Sequence, residues 1–118
     1  MKKILALMTV LLSPVIMTAG EIPSFPGGEA ALNKYLKENI VYPQIARENG
    51  VEGIVAVGFI VGTDGSLSNL KVLKYIDPEL EKEALRVIGG MPTWEPAEKD
   101  GTPIEAPSKV DIPFILEE

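Results

Sequence analysis

Residues 53–75 read GIVAVGFIVGTDGSLSNLKVLKY, and the way the two halves of this stretch face each other decides the fold. Val55, Val57, Phe59 and Val61 alternate with Ile54, Ala56, Gly58 and Ile60, the two-residue period of a strand. Gly62-Thr63-Asp64-Gly65 is a hairpin turn in which Gly65 is free to take positive φ, and the chain returns through Leu67 to Tyr75. Parity constrains the register. A two-residue loop sets Phe59 against Leu70 and Val57 against Val72; a four-residue loop sets Val57 against Leu70 and Val55 against Val72. Both stack apolar on apolar. A three-residue loop would oppose Phe59 with Asn69 and Val57 with Lys71, and is rejected on that ground. The face with Val57, Phe59, Leu70 and Val72 is the expected core face.

Upstream, Leu32, Tyr35, Leu36 and Ile40 recur at helical spacing in EAALNKYLKENI. Tyr42-Pro43 interrupts that helix, and Pro43 starts a second short one that ends at Asn49-Gly50. Downstream, Asp77-Pro78 opens a third helix, with Asp77 as cap and Glu79 and Glu81 near the positive end of the dipole. Leu80, Ala84, Val87 and Ile88 form its apolar stripe, and Gly89-Gly90 stops it. A proline-rich loop then carries Met91, Pro92, Trp94 and Pro96, followed by a turn at Asp100-Gly101. A last strand over 108–116 alternates Val110, Ile112, Phe114 and Leu116. Pro113 cannot donate to a ladder, which places this strand at a sheet edge. The order predicts an α+β domain: a small antiparallel three-stranded sheet, hairpin 53–74 plus the C-terminal strand, with helices packed on one face.

The chain has 118 residues, 46% hydrophobic, which suits one domain. Lys2-Lys3, an apolar run and Thr18-Ala19-Gly20 give residues 1–20 the order of a secretory signal, with an uncleaved membrane anchor as the competing reading. Residues 21–28, with two prolines and two glycines, read as a linker, and 29–118 as the domain. Without cysteine there is no disulfide framework, and without histidine the commonest general base and metal ligand are missing. A net charge of −6 makes nucleic acid a poor partner. No Gly-x-Ser-x-Gly elbow and no metal-ligand spacing occurs, which argues against an enzyme and against a cofactor or metal. Asp64 stands alone between Thr63 and Gly65 and belongs to a turn rather than a calcium loop. Glu79, Glu81 and Glu83 belong to a solvated helix face. Trp94 lacks the polar neighbours that would orient a ligand; it is expected to pack on the sheet or a helix, with its N–H on a backbone carbonyl.

Taken in order, Tyr42-Pro43, Ala46, Gly50, Gly53, the alternating strand, Asp64-Gly65, Glu83-Ala84, Met91-Pro92-x-Trp94-x-Pro96, Gly101 and the closing VDIPFIL of residues 110–116, with Pro113 and Phe114, resemble the C-terminal domain of TonB-type energy transducers, over roughly residues 25–118. The resemblance implies an exported, periplasmic, protein-binding domain that pairs a short peptide of an outer-membrane transporter with its last strand. Lys109, Val110, Asp111, Ile112 and Phe114 are then the partner-binding residues, and Tyr42, Pro43, Gly53, Asp64, Gly65, Met91, Pro92, Trp94 and Pro96 the structural motif. Backbone access rather than side-chain chemistry would carry such a site. The competing reading of the strand is an edge blunted against aggregation by Pro113, Lys109 and Asp111. The sequence has no long proline-rich spacer, so energy coupling for transmembrane transport, through an uncleaved N-terminal anchor, is the alternative function. A homodimer formed by strand exchange is compatible with a terminal strand of this kind.

Overall fold

The computed structural model describes residues 21–117, so the expected signal over 1–20 lies outside the described residues. In chain order the elements are helices α1 (Glu29–Asn39) and α2 (Gln44–Glu48), strands β1 (Gly53–Val61) and β2 (Leu67–Val72), helix α3 (Pro78–Gly89), and strands β3 (Ala97–Lys99), β4 (Thr102–Ile104) and β5 (Ala106–Phe114). The α+β architecture follows the expectation. Three antiparallel strands form a sheet in the order β2-β1-β5. The turn at Asp100-Gly101 closes a separate hairpin, β3 on β4, with both turn residues at positive φ (54° and 79°), the geometry that matches strand twist.

Val55, Val57, Phe59 and Val61 of β1 and Val110, Ile112 and Phe114 of β5 are all buried on one sheet face. Helix α3 packs over it with Leu80, Ala84, Val87 and Ile88. Asp77 caps that helix as expected, its carboxylate accepting from the amides of Glu79 (2.9 Å) and Leu80 (3.2 Å). The opposite face is only half covered. Leu73 lies so close over Gly58 that a Cβ there would sit 3.0 Å from its Cδ2, while Ile54, Leu73 and Tyr75 remain exposed.

The hairpin register corrects one sequence argument. Val57 faces Val72, as a two-residue loop would have it, yet beside the turn Ile60 faces Ser68 and Val61 faces Leu67, the parity that was rejected. Both hold because β2 carries a bulge. Phe59 meets two β2 residues, Asn69 and Leu70, and Asn69 takes φ 54° to absorb the extra one. A single left-handed asparagine changes parity inside one strand, which no uniform register can do.

Trp94 is buried, edge-on to Phe59 (ring centroids 5.1 Å) and Phe25 (6.0 Å). Its N–H finds no acceptor among the described residues, contrary to expectation. Its backbone instead latches the hairpin tip: the Trp94 amide donates to the Gly65 carbonyl (2.8 Å). Gly65, at φ 86°, would place any Cβ 2.1 Å from the Trp94 carbonyl oxygen, so only glycine fits. The segment 21–28, expected as a linker, is tied down as well. Ser24 exchanges two backbone hydrogen bonds with Glu95 (3.0 and 2.8 Å), and Phe25 is buried in the core.

Candidate functional site: the free edge of the last strand

Strand β5 pairs with β1 over nine consecutive residues without a break, from Val61 against Ala106 to Gly53 against Phe114. Its other side has no strand beside it among the described residues. One hydrogen bond fixes which backbone groups point there. The Leu73 amide donates to the Ala56 carbonyl (2.8 Å), so the even-numbered residues of β1 turn toward β2. The odd ones, Val55, Val57 and Phe59, therefore turn toward β5 and bond Ile112, Val110 and Ser108. By the same alternation Pro107, Lys109, Asp111 and Pro113 direct their backbone outward. Proline is tolerated at such positions because the missing N–H faces away from the ladder. The edge thus offers four carbonyls but only two amides, those of Lys109 and Asp111.

This geometry separates the five residues expected at the partner site. Val110, Ile112 and Phe114 put their side chains into the core and their backbone into the β1 ladder. Lys109 and Asp111 alone face outward. Their side chains pair with each other at 3.3 Å, more than half exposed on both sides, an ion pair of little energetic weight.

Helix α1 lies alongside and makes the edge one wall of a groove. Leu32, Leu36 and Ile40 form an apolar row on the helix, and Glu29, Asn33 and Lys37, again four apart, form its lip. Two pockets open between helix and strand. One of 230 Å³ is lined by Glu29, Leu32, Asn33 and Leu36 with Lys109, Val110 and Asp111. The other, 570 Å³, is lined by Leu36, Lys37, Ile40, Tyr42 and Arg47 with Asp111 to Ile115 of the strand, Ile112 excepted. The i, i+4 rows of α1 were legible in the sequence; that they would flank β5 was not, because it depends on how α1 is carried back over the sheet.

The far end of the groove is held firmly. Tyr42 stands edge-on to Phe114 (5.6 Å), its hydroxyl donates to the Val51 carbonyl, and Arg47 lies 5.0 Å over its ring. Burial, and next the nearby Glu52 carboxylate, push the Tyr42 hydroxyl above its ordinary range, so it stays a neutral donor. The end of α1 is tied to α3: Glu83 accepts from the Val41 amide (2.7 Å) and from Arg86 (2.8 Å), while Arg86 also donates to the Asn39 carbonyl (2.8 Å). The hydrogen bond from Arg86 chiefly holds the Glu83 carboxyl below its ordinary value. Of the expected motif residues only Tyr42 lines the groove. Pro43 leads into α2, Gly53 begins β1, Asp64 accepts from the Ser66 amide and hydroxyl within the turn, and Met91, Pro92, Trp94 and Pro96 follow α3 on the loop. No three acidic side chains among the described residues are placed to hold a metal ion.

Two solution structures of the C-terminal domain of Helicobacter pylori TonB are similar to this chain. One aligns at 27% identity with a TM-score of 0.57, covering 74% of this chain and 78% of that one. The other, a shorter piece, aligns at 26% with a TM-score of 0.55, covering 75% of this chain and 94% of that one. Comparison with the curated proteins gives no match. The family described as the Gram-negative bacterial TonB protein C-terminal matches residues 38–116, a span that takes in α2, the whole sheet, α3 and the Trp94 loop. The chain with the proline-marked free edge therefore belongs to the TonB C-terminal family.

Proposed function

We propose that this domain binds an extended peptide of an outer-membrane transporter, in the periplasm, by accepting it as an added strand along β5. The observation that carries the reading is the regular nine-residue ladder of β5 on β1, which leaves one straight, unpaired side facing a groove. Family membership supplies the kind of partner, since the domain in TonB interacts with outer-membrane transporters. Main-chain hydrogen bonds would supply most of the affinity, which explains a binding site without any catalytic constellation.

Removing residues 109–118 would be a poor test, because it also takes Val110, Ile112 and Phe114 out of the core. Asp111→Pro is better. It deletes one outward amide at a position equivalent to those Pro107 and Pro113 already occupy, and leaves the β1 ladder intact. Capture of a transporter from envelope extract should fall about tenfold or more, while Asp111→Ala, which keeps the amide, should capture normally. Equal capture by Asp111→Pro and wild type would defeat the reading.

Membership also supports a second reading, in which the chain couples membrane energy to transport through an anchored N-terminus. No helix among the described residues is long and apolar enough to cross a membrane, so that reading depends on residues 1–20. Sequencing the N-terminus of the exported protein separates the two. A mature start near Glu21 removes the anchor.

A further inference from the structure

The strap of residues 21–28 is fastened to the domain through two neighbouring residues. Ser24 and Glu95 exchange two backbone hydrogen bonds (3.0 and 2.8 Å), an isolated bridge outside the named strands. Next to it Phe25 is 7% exposed, 5.6 Å from the Tyr35 ring and edge-on to Trp94. The chain then folds straight back into α1. Gly27 and Gly28 take consecutive positive φ (91° and 88°), and a Cβ at Gly27 would lie 2.9 Å from that of Ala31.

Helix α1 has unequal ends. Toward its C-terminus Leu36 is buried, the Tyr35 hydroxyl donates to the Val87 carbonyl (2.9 Å), and Arg86 and Glu83 hold the Asn39 carbonyl and the Val41 amide (2.8 and 2.7 Å). Its first turn has no side-chain cap, and Ala31 and Leu32 are only partly buried. An eleven-residue helix is marginal by itself in water, so what its first turn leans on decides whether that turn persists. It leans on the strap. The Gly28 amide donates to the Phe25 carbonyl (2.8 Å), and the Gly28 carbonyl accepts from Leu32 (3.0 Å). The strap's own hold is slight: two hydrogen bonds and one buried ring offset the backbone entropy of ordering eight residues, a cost that Pro23 and Pro26 lower because their φ is fixed beforehand. A segment so narrowly balanced opens without the rest of the molecule unfolding. The family match begins at residue 38, so the strap and almost all of α1 precede it. We infer that residues 21–28 are a clasp for α1. Docked, they keep Glu29, Leu32 and Asn33 beside β5; released, they free the first turns to swing out on the tied far end and widen the 230 Å³ pocket. The state of the strap is thus read at the groove wall, with no change in β5.

The test is amide hydrogen exchange on the full chain, with and without a lock. The chain has no cysteine, so Ser24→Cys with Glu95→Cys forms a single disulfide across the bridge, which reductant opens. In the wild type the amides of Ser24, Glu95, Leu32 and Asn33 should exchange through one common opening, about tenfold or more faster than that of Val57 in β1. Oxidising the lock should slow Leu32 and Asn33 by about tenfold or more, and reduction should restore them. Phe25→Ala should speed the same four amides by about tenfold or more, and leave Ile40, Val41 and Val57 within about twofold. Leu32 and Asn33 unmoved by both the lock and Phe25→Ala would overturn the clasp, because strap and helix would then open independently. So would strap amides as slow as Val57 in the wild type, or an equal acceleration of Val57 in Phe25→Ala, which would make Phe25 ordinary core. Strand addition at β5 is untouched by any of these results and is tested separately by Asp111→Pro.

Discussion

The sheet has two outer strands, and they are built differently. Strand β2 is six residues long and bulged at Asn69, so its outward backbone never runs straight for more than a few residues. Strand β5 is nine residues long and unbroken, and its only interruptions are two prolines whose missing amides fall on the outer side. A bulge kinks an edge locally and breaks the straight run that a partner strand would need. Prolines at matched parity close the ends of an edge and leave the middle open. One edge is blunted; the other is bounded. The difference teaches that two edges of one sheet can be limited by different devices, a bulge in mid-strand on β2 and prolines near the two ends on β5.

The largest effect should come from detaching β5 at its root. Phe114 is 1% exposed and stands edge-on to Tyr42, so Phe114→Ala should cost about 3–5 kcal/mol in a urea titration. A loss below about 1 kcal/mol would mean that β5 is less embedded in the core than its burial indicates. Next come paired prolines, one on each edge. Lys109→Pro should reduce peptide capture by about tenfold with little change in melting temperature. Val72→Pro, whose amide also faces outward on β2, should leave capture unchanged. If both reduce capture equally, the two edges are not distinct in function.

The bulge itself can be pressed. Asn69→Val forces a β-branched residue to φ 54° and should destabilise by about 1–3 kcal/mol, whereas Asn69→Gly should be close to neutral. The smallest effect is on pH. The Glu83 carboxyl titrates below its ordinary value of 4.5 in the folded chain, held there first by its hydrogen bond from Arg86. Its stabilising contribution is therefore fully present above pH 4.5 and is lost as pH falls through the lower folded value. Since Arg86 is more than half exposed, solvent screens the pair and the effect is modest. Acid should loosen the junction between α1 and α2, on the β5 side, before it touches β2. Hydrogen exchange at Val41 should report this, and Glu83→Gln should abolish its pH dependence.

Much of the fold was legible because its signals are local. Nine alternating residues delimit β1, and Asp77-Pro78 marks the start of α3 by cap chemistry alone. The bulge was not legible, since a left-handed asparagine carries no pattern in apolar periodicity. Strand β5 was placed from residue 108, two residues late, because Pro107 reads as a breaker until the parity of the ladder shows it facing outward. Phe25 lies in a proline- and glycine-rich segment with no period at all, and only tertiary packing reveals it as core. For the site, the residue types of β5 pointed to an edge. Its opposite wall on α1, with the Glu29-to-Lys37 lip, required knowing which helix lies beside which strand.

The unbroken ladder between β1 and β5 also has a mechanical meaning. A guest aligned with β5 and tugged along its own length would load the nine-residue seam in shear, with all of its bonds strained together. The same tug applied across the sheet would peel those bonds one after another, at far lower force. The orientation of the strand, more than the strength of any single contact, decides how hard this small domain can be pulled.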